Sequence, residues 1–91
     1  MNFEWDREKA RLNEARHDVT FEEAQTIFDD PLMALLPDMF HSIGEERFLA
    51  VGESIRQQLL VVSFTERGDN IRIISAREAT RRERKDYEEG E

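Results

Sequence analysis

Cysteine is absent from this 91-residue chain. Disulfides and thiolate metal sites are therefore excluded, and the fold must be held by packing, with or without a partner. Glycine is scarce, at four residues, and no glycine-rich phosphate loop is formed from them, which removes the signature of a nucleotide-dependent enzyme. The two histidines have no paired-histidine spacing, so no transition-metal site is expected. No apolar run approaches the ~18 residues that suggest a membrane span, and no secretory signal is present. The expected location is the cytoplasm. A chain of this length supports one core, so residues 1–91 are expected to form one domain.

What is present is charge. Charged residues make up 37% of the chain against 38% hydrophobic, and the formal net charge is −8. Residues 1–44 carry 10 acids and 4 bases; residues 45–91 carry 11 acids and 9 bases, eight of them arginine. Net acidity argues against loose, non-specific affinity for nucleic acid but leaves room for a small local site. The stretch "IRIISAREATRRERKDYEE" places Arg72, Arg77, Arg81, Arg82, Arg84 and Lys85 at one strand–helix junction. Arginine offers a planar fork that matches phosphate or carboxylate.

Patterning predicts an α+β domain. "FEWD" reads as a short strand ending in an Asp6 helix cap, followed by a helix over about 7–16. Ala10, Leu12 and Ala15 give that helix a weak apolar face, while Glu8, Lys9, Arg11, Asn13 and Glu14 fall on its exposed side. Thr20 and Glu23 fit a capping box, with Val19 and Ala24 at the hydrophobic-staple positions. Phe21, Ala24, Ile27 and Phe28 carry the helical period until Pro31. Strands are predicted over 32–39, an edge strand because of Pro37, and over 46–53, 58–66 and 70–77. The turn "RGDN" joins the last two, making a meander of antiparallel hairpins. A second capping box, Thr80 with Glu83, starts a helix over 81–89; Ser75 and Glu78 fit the same pattern one turn earlier.

Few side chains suit chemistry. His17 stands at the end of the first helix, where it suits a proton donor or a phosphate ligand, or else only satisfies terminal carbonyls. Asp38, His41 and Ser42 resemble a hydrolase triad, but no nucleophile elbow surrounds Ser42, and His41 reads as a loop histidine. The pairs Glu22–Glu23, Asp29–Asp30 and Glu45–Glu46 read as solvated surface. On a regular strand Arg77 shares a face with Ile71, Ile73 and Ser75, and Arg72 shares one with Ile74 and Ala76; Arg47 shares a face with Leu49 and Val51. An arginine on an apolar strand face needs a partner, either an internal acid such as Glu46, Glu53 or Glu66, or a ligand phosphate.

These segments taken in order resemble the BrnT toxins of type II toxin–antitoxin systems. The resemblance covers about residues 2–88. It rests on "FEWD", on Lys9 and Asn13 before "RHDVTFEEA" and "FDDP", on "HSIGEERFLAVG", and on "LLVVSFTERGD" before "IRIISAREATRRERKDYE". It implies a compact RelE-like fold, an antiparallel sheet packed with two N-terminal helices and one C-terminal helix. It further implies RNA cleavage without a metal or other cofactor, inhibiting translation, and a ribbon-helix-helix antitoxin, BrnA, through which alone operator DNA is bound. Lys9, Asn13 and His17 match the family's helix-end pattern, Arg47 its "ERF" arginine, and Glu66, Arg67 and Arg77 its "TER" and "SAR" segments. The catalytic set implied is His17, Lys9, Arg47, Arg77 and Glu66. Arg67 and Arg72 would bind RNA phosphate, and Arg81, Arg82 and Arg84 would serve antitoxin or structural contacts. These phosphate-binding arginines are expected to be free of the protein's own acids. The chain departs from the family at Asp18, where glycine is usual, and at Arg16, where lysine is common. Asp18 tolerates a left-handed cap less well than glycine and puts a negative charge beside His17. The alternative is a catalytically inert interaction module of the same fold.

Overall fold

The computed structural model describes residues 1–39, 41 and 44–90. It contains β1 (Asn2–Glu4), α1 (Arg7–His17), α2 (Phe21–Gln25) continued by a 3-10 turn (Thr26–Asp29), β2 (Ala34–Pro37), β3 (Phe48–Glu53), β4 (Leu59–Arg67), β5 (Asn70–Glu78) and α3 (Arg81–Glu89). The strands form one sheet in the order β1-β5-β4-β3-β2. From β2 to β5 it is the predicted antiparallel meander; β1 adds to the far side of β5 in parallel, pairing Asn2 with Asn70 and Glu4 with Arg72. No helix among the described residues is long and apolar enough to cross a membrane.

Alternation along the strands separates two faces. The first carries Ala50, Leu60, Val62, Phe64, Ile71, Ile73 and Ala76, buried together with Val19, Phe21, Ala24 and Ile27. Edge-on rings extend this core: Phe28 meets Phe3 at 5.2 Å and Phe64 at 5.3 Å, and Trp5 meets Phe21 at 5.8 Å. β3 lies close against the 3-10 turn at Gly52, where a Cβ would stand 3.2 Å from the Ile27 carbonyl oxygen. The second face carries Val51, Leu59 and Val61, with Leu49, Ala79 and Tyr87 packed on them, and is only partly covered.

One irregularity redirects the end of β5. Ser63 pairs with Ser75, but Phe64 pairs with Ile73, so Ile74 is an extra residue in the ladder. The bulge reverses the alternation. Ile71 and Ile73 remain in the first-face core, whereas Arg77 pairs with Val61 on the second face, and Ser75 follows Ser63 there. The regular-strand expectation that Arg77 sides with Ile71 and Ile73 is therefore overturned, as is the pairing of Arg72 with Ala76.

Helix boundaries follow their caps. Asp6 accepts from Lys9 N at 3.0 Å, and Asp18 closes α1 in the left-handed region at φ 57°. α1 does not bury an apolar stripe; its one buried residue is Asn13, which the helical pattern placed on the exposed side. The Asn13 Nδ2 donates to the carbonyls of Val19 (3.0 Å) and Ala76 (2.8 Å), and its Oδ1 accepts from Ala76 N (3.0 Å). One amide thus completes the open edge of β5 as a strand would. The Thr20 box forms by half: Thr20 accepts from Glu23 N, but the Glu23 carboxylate is buried and accepts from Ser54 Oγ at 2.6 Å. Asp30 likewise is no solvated acid. It accepts from Leu32 N, from Glu53 N and from the Tyr87 hydroxyl, and so ties α3 to β3. Sequence places both acids beside helix ends, and only the packed chain brings them their distant donors.

Candidate active site

On the second face, Arg47, Leu49, Ser63, Ile74, Ser75 and Arg77 line a recess of about 330 Å³, closed on one side by Asp38 and His41. Adjacent to it, a smaller hollow of about 170 Å³ is lined by Lys9, Leu12, Asn13, Arg16 and His17. Ile74 and Ser75 belong to both. The β5 bulge therefore lines both the arginine-bearing hollow and the hollow at the basic end of α1. Lys9, Asn13 and His17 recur every four residues, which stacks them on one side of the helix.

Arg77 reaches this position already paired. Its Nη1 donates to Glu83 Oε1 at 2.8 Å and to the Glu78 carbonyl at 3.2 Å, and its Nη2 donates to Glu83 Oε2 at 2.9 Å. Glu83 is held there by the complete capping box of α3: it accepts from Thr80 N, while its own N–H donates to Thr80 Oγ1. The two hydrogen bonds from Arg77 outweigh partial burial and pull the Glu83 carboxyl down to about 2. The same pairing, set against partial burial, raises Arg77 above its usual value. These three bonds use the end of the guanidinium. Its Nε–H and the second Nη2 hydrogen form another edge of the fork, and a planar guanidinium has five such donors.

The remaining predicted residues are not brought to this place. Glu66 pairs with Ile71 and Arg67 with Asn70, at the turn end of the β4–β5 hairpin. Six residues of β5 separate Ile71 from Arg77, about 20 Å at ~3.3 Å per residue. Arg67 is paired with Glu45 at 3.2 Å and Arg72 with Glu4 at 2.9 Å. The expectation of arginines unpaired by the protein's own acids fails for Arg67, Arg72 and Arg77. Their partners, Glu45, Glu4 and Glu83, differ from those that strand spacing suggested, because parallel pairing of β1 and the return of α3 supply them.

The structure also restores a residue that sequence reasoning set aside. His41 Nδ1 lies 3.1 Å from Asp38 Oδ2 and 3.2 Å from Oδ1. The Asp38 side chain is 8% exposed and the histidine 67%. Ser42, the third member of the triad-like pattern, lies outside the described residues. The signal for His41 was its spacing of three from Asp38, which a turn converts into contact. For Arg47 and Arg77 the signal was the family resemblance, which put both in one catalytic set, and they do line the same recess.

These features define a small α+β protein whose second sheet face carries an arginine-lined hollow beside a histidine–aspartate pair and a helix end. The chain belongs to the BrnT ribonuclease toxin family of type II toxin–antitoxin systems, whose family model matches residues 5–83. Among solved structures it is similar to the Brucella abortus ribonuclease toxin BrnT, known from a crystal structure at 1.1 Å resolution. The two are 24% identical with a TM-score of 0.69, covering 89% of this chain and 99% of that one, a likeness of fold. No curated protein matches the chain.

Proposed function

We propose that this chain cleaves RNA by metal-independent transesterification in the hollow beside the β5 bulge. A ribose 2′-hydroxyl attacks the adjacent phosphorus, and the 5′-oxygen leaves. Arg47 and Arg77 clamp the phosphate. His17 and Lys9 stand at the proton-transfer end of the site. Glu66, Arg67 and Arg72 lie outside it. The supporting observation is that Arg47 and Arg77, thirty residues apart in sequence, line one recess. Guanidinium groups held in place before the reaction stabilise the doubly negative transition state, and removing one such donor commonly costs about 3–4 kcal/mol. The Glu83 pairing fixes the Arg77 fork in one orientation, so that its second edge is preorganised.

Purified protein is expected to cut a defined RNA in the presence of EDTA, and Arg47→Ala or Arg77→Ala is expected to lower that rate by about 10²–10³-fold while circular dichroism stays unchanged. Arg77→Lys retains charge but loses the second edge of the fork, and a rate near that of Arg77→Ala is expected. Loss of cleavage in EDTA with recovery on adding a divalent metal would refute the metal-free mechanism. As the second reading, the ion pairs of Arg67, Arg72 and Arg77 with internal acids favour an inert interaction module. That reading predicts no cleavage by the wild-type chain.

The partner proposed is a ribbon-helix-helix antitoxin of the BrnA type. The excess acidity of residues 1–44 suits a basic antitoxin segment.

A further inference from the structure

We propose that His41, oriented by Asp38, is the general base of the RNA cleavage proposed above. The inference rests on that reading and assigns the base, a role that sequence reasoning left without a residue. The first element is the tautomer. A carboxylate only accepts hydrogen bonds, so contact of both Asp38 oxygens with Nδ1 requires a proton on that nitrogen. In the neutral ring the lone pair is then on Nε2. A shielded aspartate that fixes an exposed imidazole in this form is the arrangement by which hydrolytic triads present a base. The exposure of the two side chains fits it: Asp38 is withdrawn, and His41 reaches solvent.

The second element is place. Both residues line the recess that holds Arg47 and Arg77. A phosphate clamped by those arginines brings its ribose to the rim where His41 stands. Among the described residues, the charged groups that line the recess with His41 are Asp38, Arg47 and Arg77. The backbone joins these parts as well, because Asp38 N donates to the Arg47 carbonyl at 2.9 Å, continuing the β2–β3 pairing past Pro37. The base and one arm of the clamp are thus fixed to each other by a ladder bond.

The third element is the division of labour. An in-line displacement places the attacking and departing oxygens on opposite sides of phosphorus. His41 lines the recess, and Lys9 and His17 line the adjoining hollow that shares Ile74 and Ser75 with it. The 2′-hydroxyl proton passes to His41 Nε2 as the O2′–P bond forms. The P–O5′ bond breaks, and O5′ takes a proton from Lys9 or His17. The products are a 2′,3′-cyclic phosphate and a 5′-hydroxyl. His41 then gives its proton to solvent, and Lys9 or His17 takes one back from it.

The test compares His41→Ala, Asp38→Asn and His17→Ala with the wild-type chain on a synthetic 5′-labelled oligoribonucleotide, with and without ribosomes. His41→Ala is expected to lower kcat by 10²–10⁴-fold with KM changed less than threefold. Added imidazole is expected to restore part of that rate, as the exposed position admits it. Asp38→Asn is expected to lower kcat at least tenfold with KM changed less than threefold, because the ring is no longer held in one tautomer. A His41→Ala rate within threefold of wild type, with wild type active, would overturn the assignment and leave the ribonuclease reading standing. Loss of cleavage in His41→Ala that imidazole leaves unchanged, accompanied by a lowered melting temperature, would overturn it in favour of a structural role. An inert wild-type chain would overturn both.

Discussion

Glu83 accepts from Arg77 twice and from Thr80 N once, so a single carboxylate caps α3 and holds the arginine of the hollow. Its carboxyl, pulled down to about 2 in the folded chain, lies below its ordinary value of 4.5. The stability it contributes is therefore fully present above about pH 4.5 and is lost as pH falls towards 2. Both side chains are about a third exposed, at 31% and 40%, so solvent screening reduces the effect. Glu83→Gln is expected to lower stability by about 1–2 kcal/mol at pH 7. Urea titrations should show the gap between variant and wild type narrowing from pH 4.5 downwards. A gap independent of pH across that window would mean that the carboxylate charge is not what Arg77 requires. At this scale spacing revealed the Thr80–Glu83 box, because a capping box is local. It could not reveal that Glu83 also serves Arg77, which depends on α3 folding back across β5.

α1 is an element whose own sequence gives it little reason to dock. Its residues are nearly all charged or exposed, and Asn13 alone is buried. The Asn13 amide supplies what the helix lacks. Asn13→Leu would leave the Ala76 N–H and carbonyl without their partner in a buried position, at about 1–3 kcal/mol for each unsatisfied group. Destabilisation of roughly 2–4 kcal/mol is expected by chemical denaturation, with hydrogen exchange accelerated at Ala76. Exchange unaltered at that amide would show that another group covers the β5 edge. At the other end, Asp18 adopts φ 57° and its N–H donates to the Glu14 carbonyl at 2.8 Å. Glycine adopts this backbone without the side-chain penalty, although it also gains more freedom in the unfolded chain. Asp18→Gly is expected to raise stability by about 0.5–1 kcal/mol. The cap position was legible, since the helical period stops at His17. The seat of Asn13 was not, because helical periodicity says which residues share a side and not which side faces an open strand edge.

For the molecule as a whole, a net charge of −8 opposes loose, non-specific approach of RNA. If Arg47 and Arg77 are the cations that meet phosphate, two counterions are released on binding. The slope of log affinity against log salt for a single-stranded RNA should then be about −1 to −2. A slope near −5 would require a broad basic surface and would displace binding from the hollow. Antitoxin binding has a separate electrostatic signature: a basic partner laid over the acidic N-terminal half should associate more slowly as salt rises. Calorimetry or surface-binding kinetics with the purified partner would measure both.

Order and type of the elements were already determined by sequence, because caps, prolines, strand alternation and the "RGDN" turn are local signals that act within a few residues. Family membership was also legible there, in the ordered segments that resemble the BrnT toxins. Tertiary structure alone decided which charges meet. The Ile74 bulge, invisible to a period of two, turned Ser75 and Arg77 to the second face. Parallel pairing of β1 gave Arg72 its Glu4 partner, the return of α3 gave Arg77 its Glu83, and the turn after β2 set His41 on Asp38 beside both arginines of the recess. Side-chain partners across a sheet are chosen by register, and register is settled only when every strand is in place.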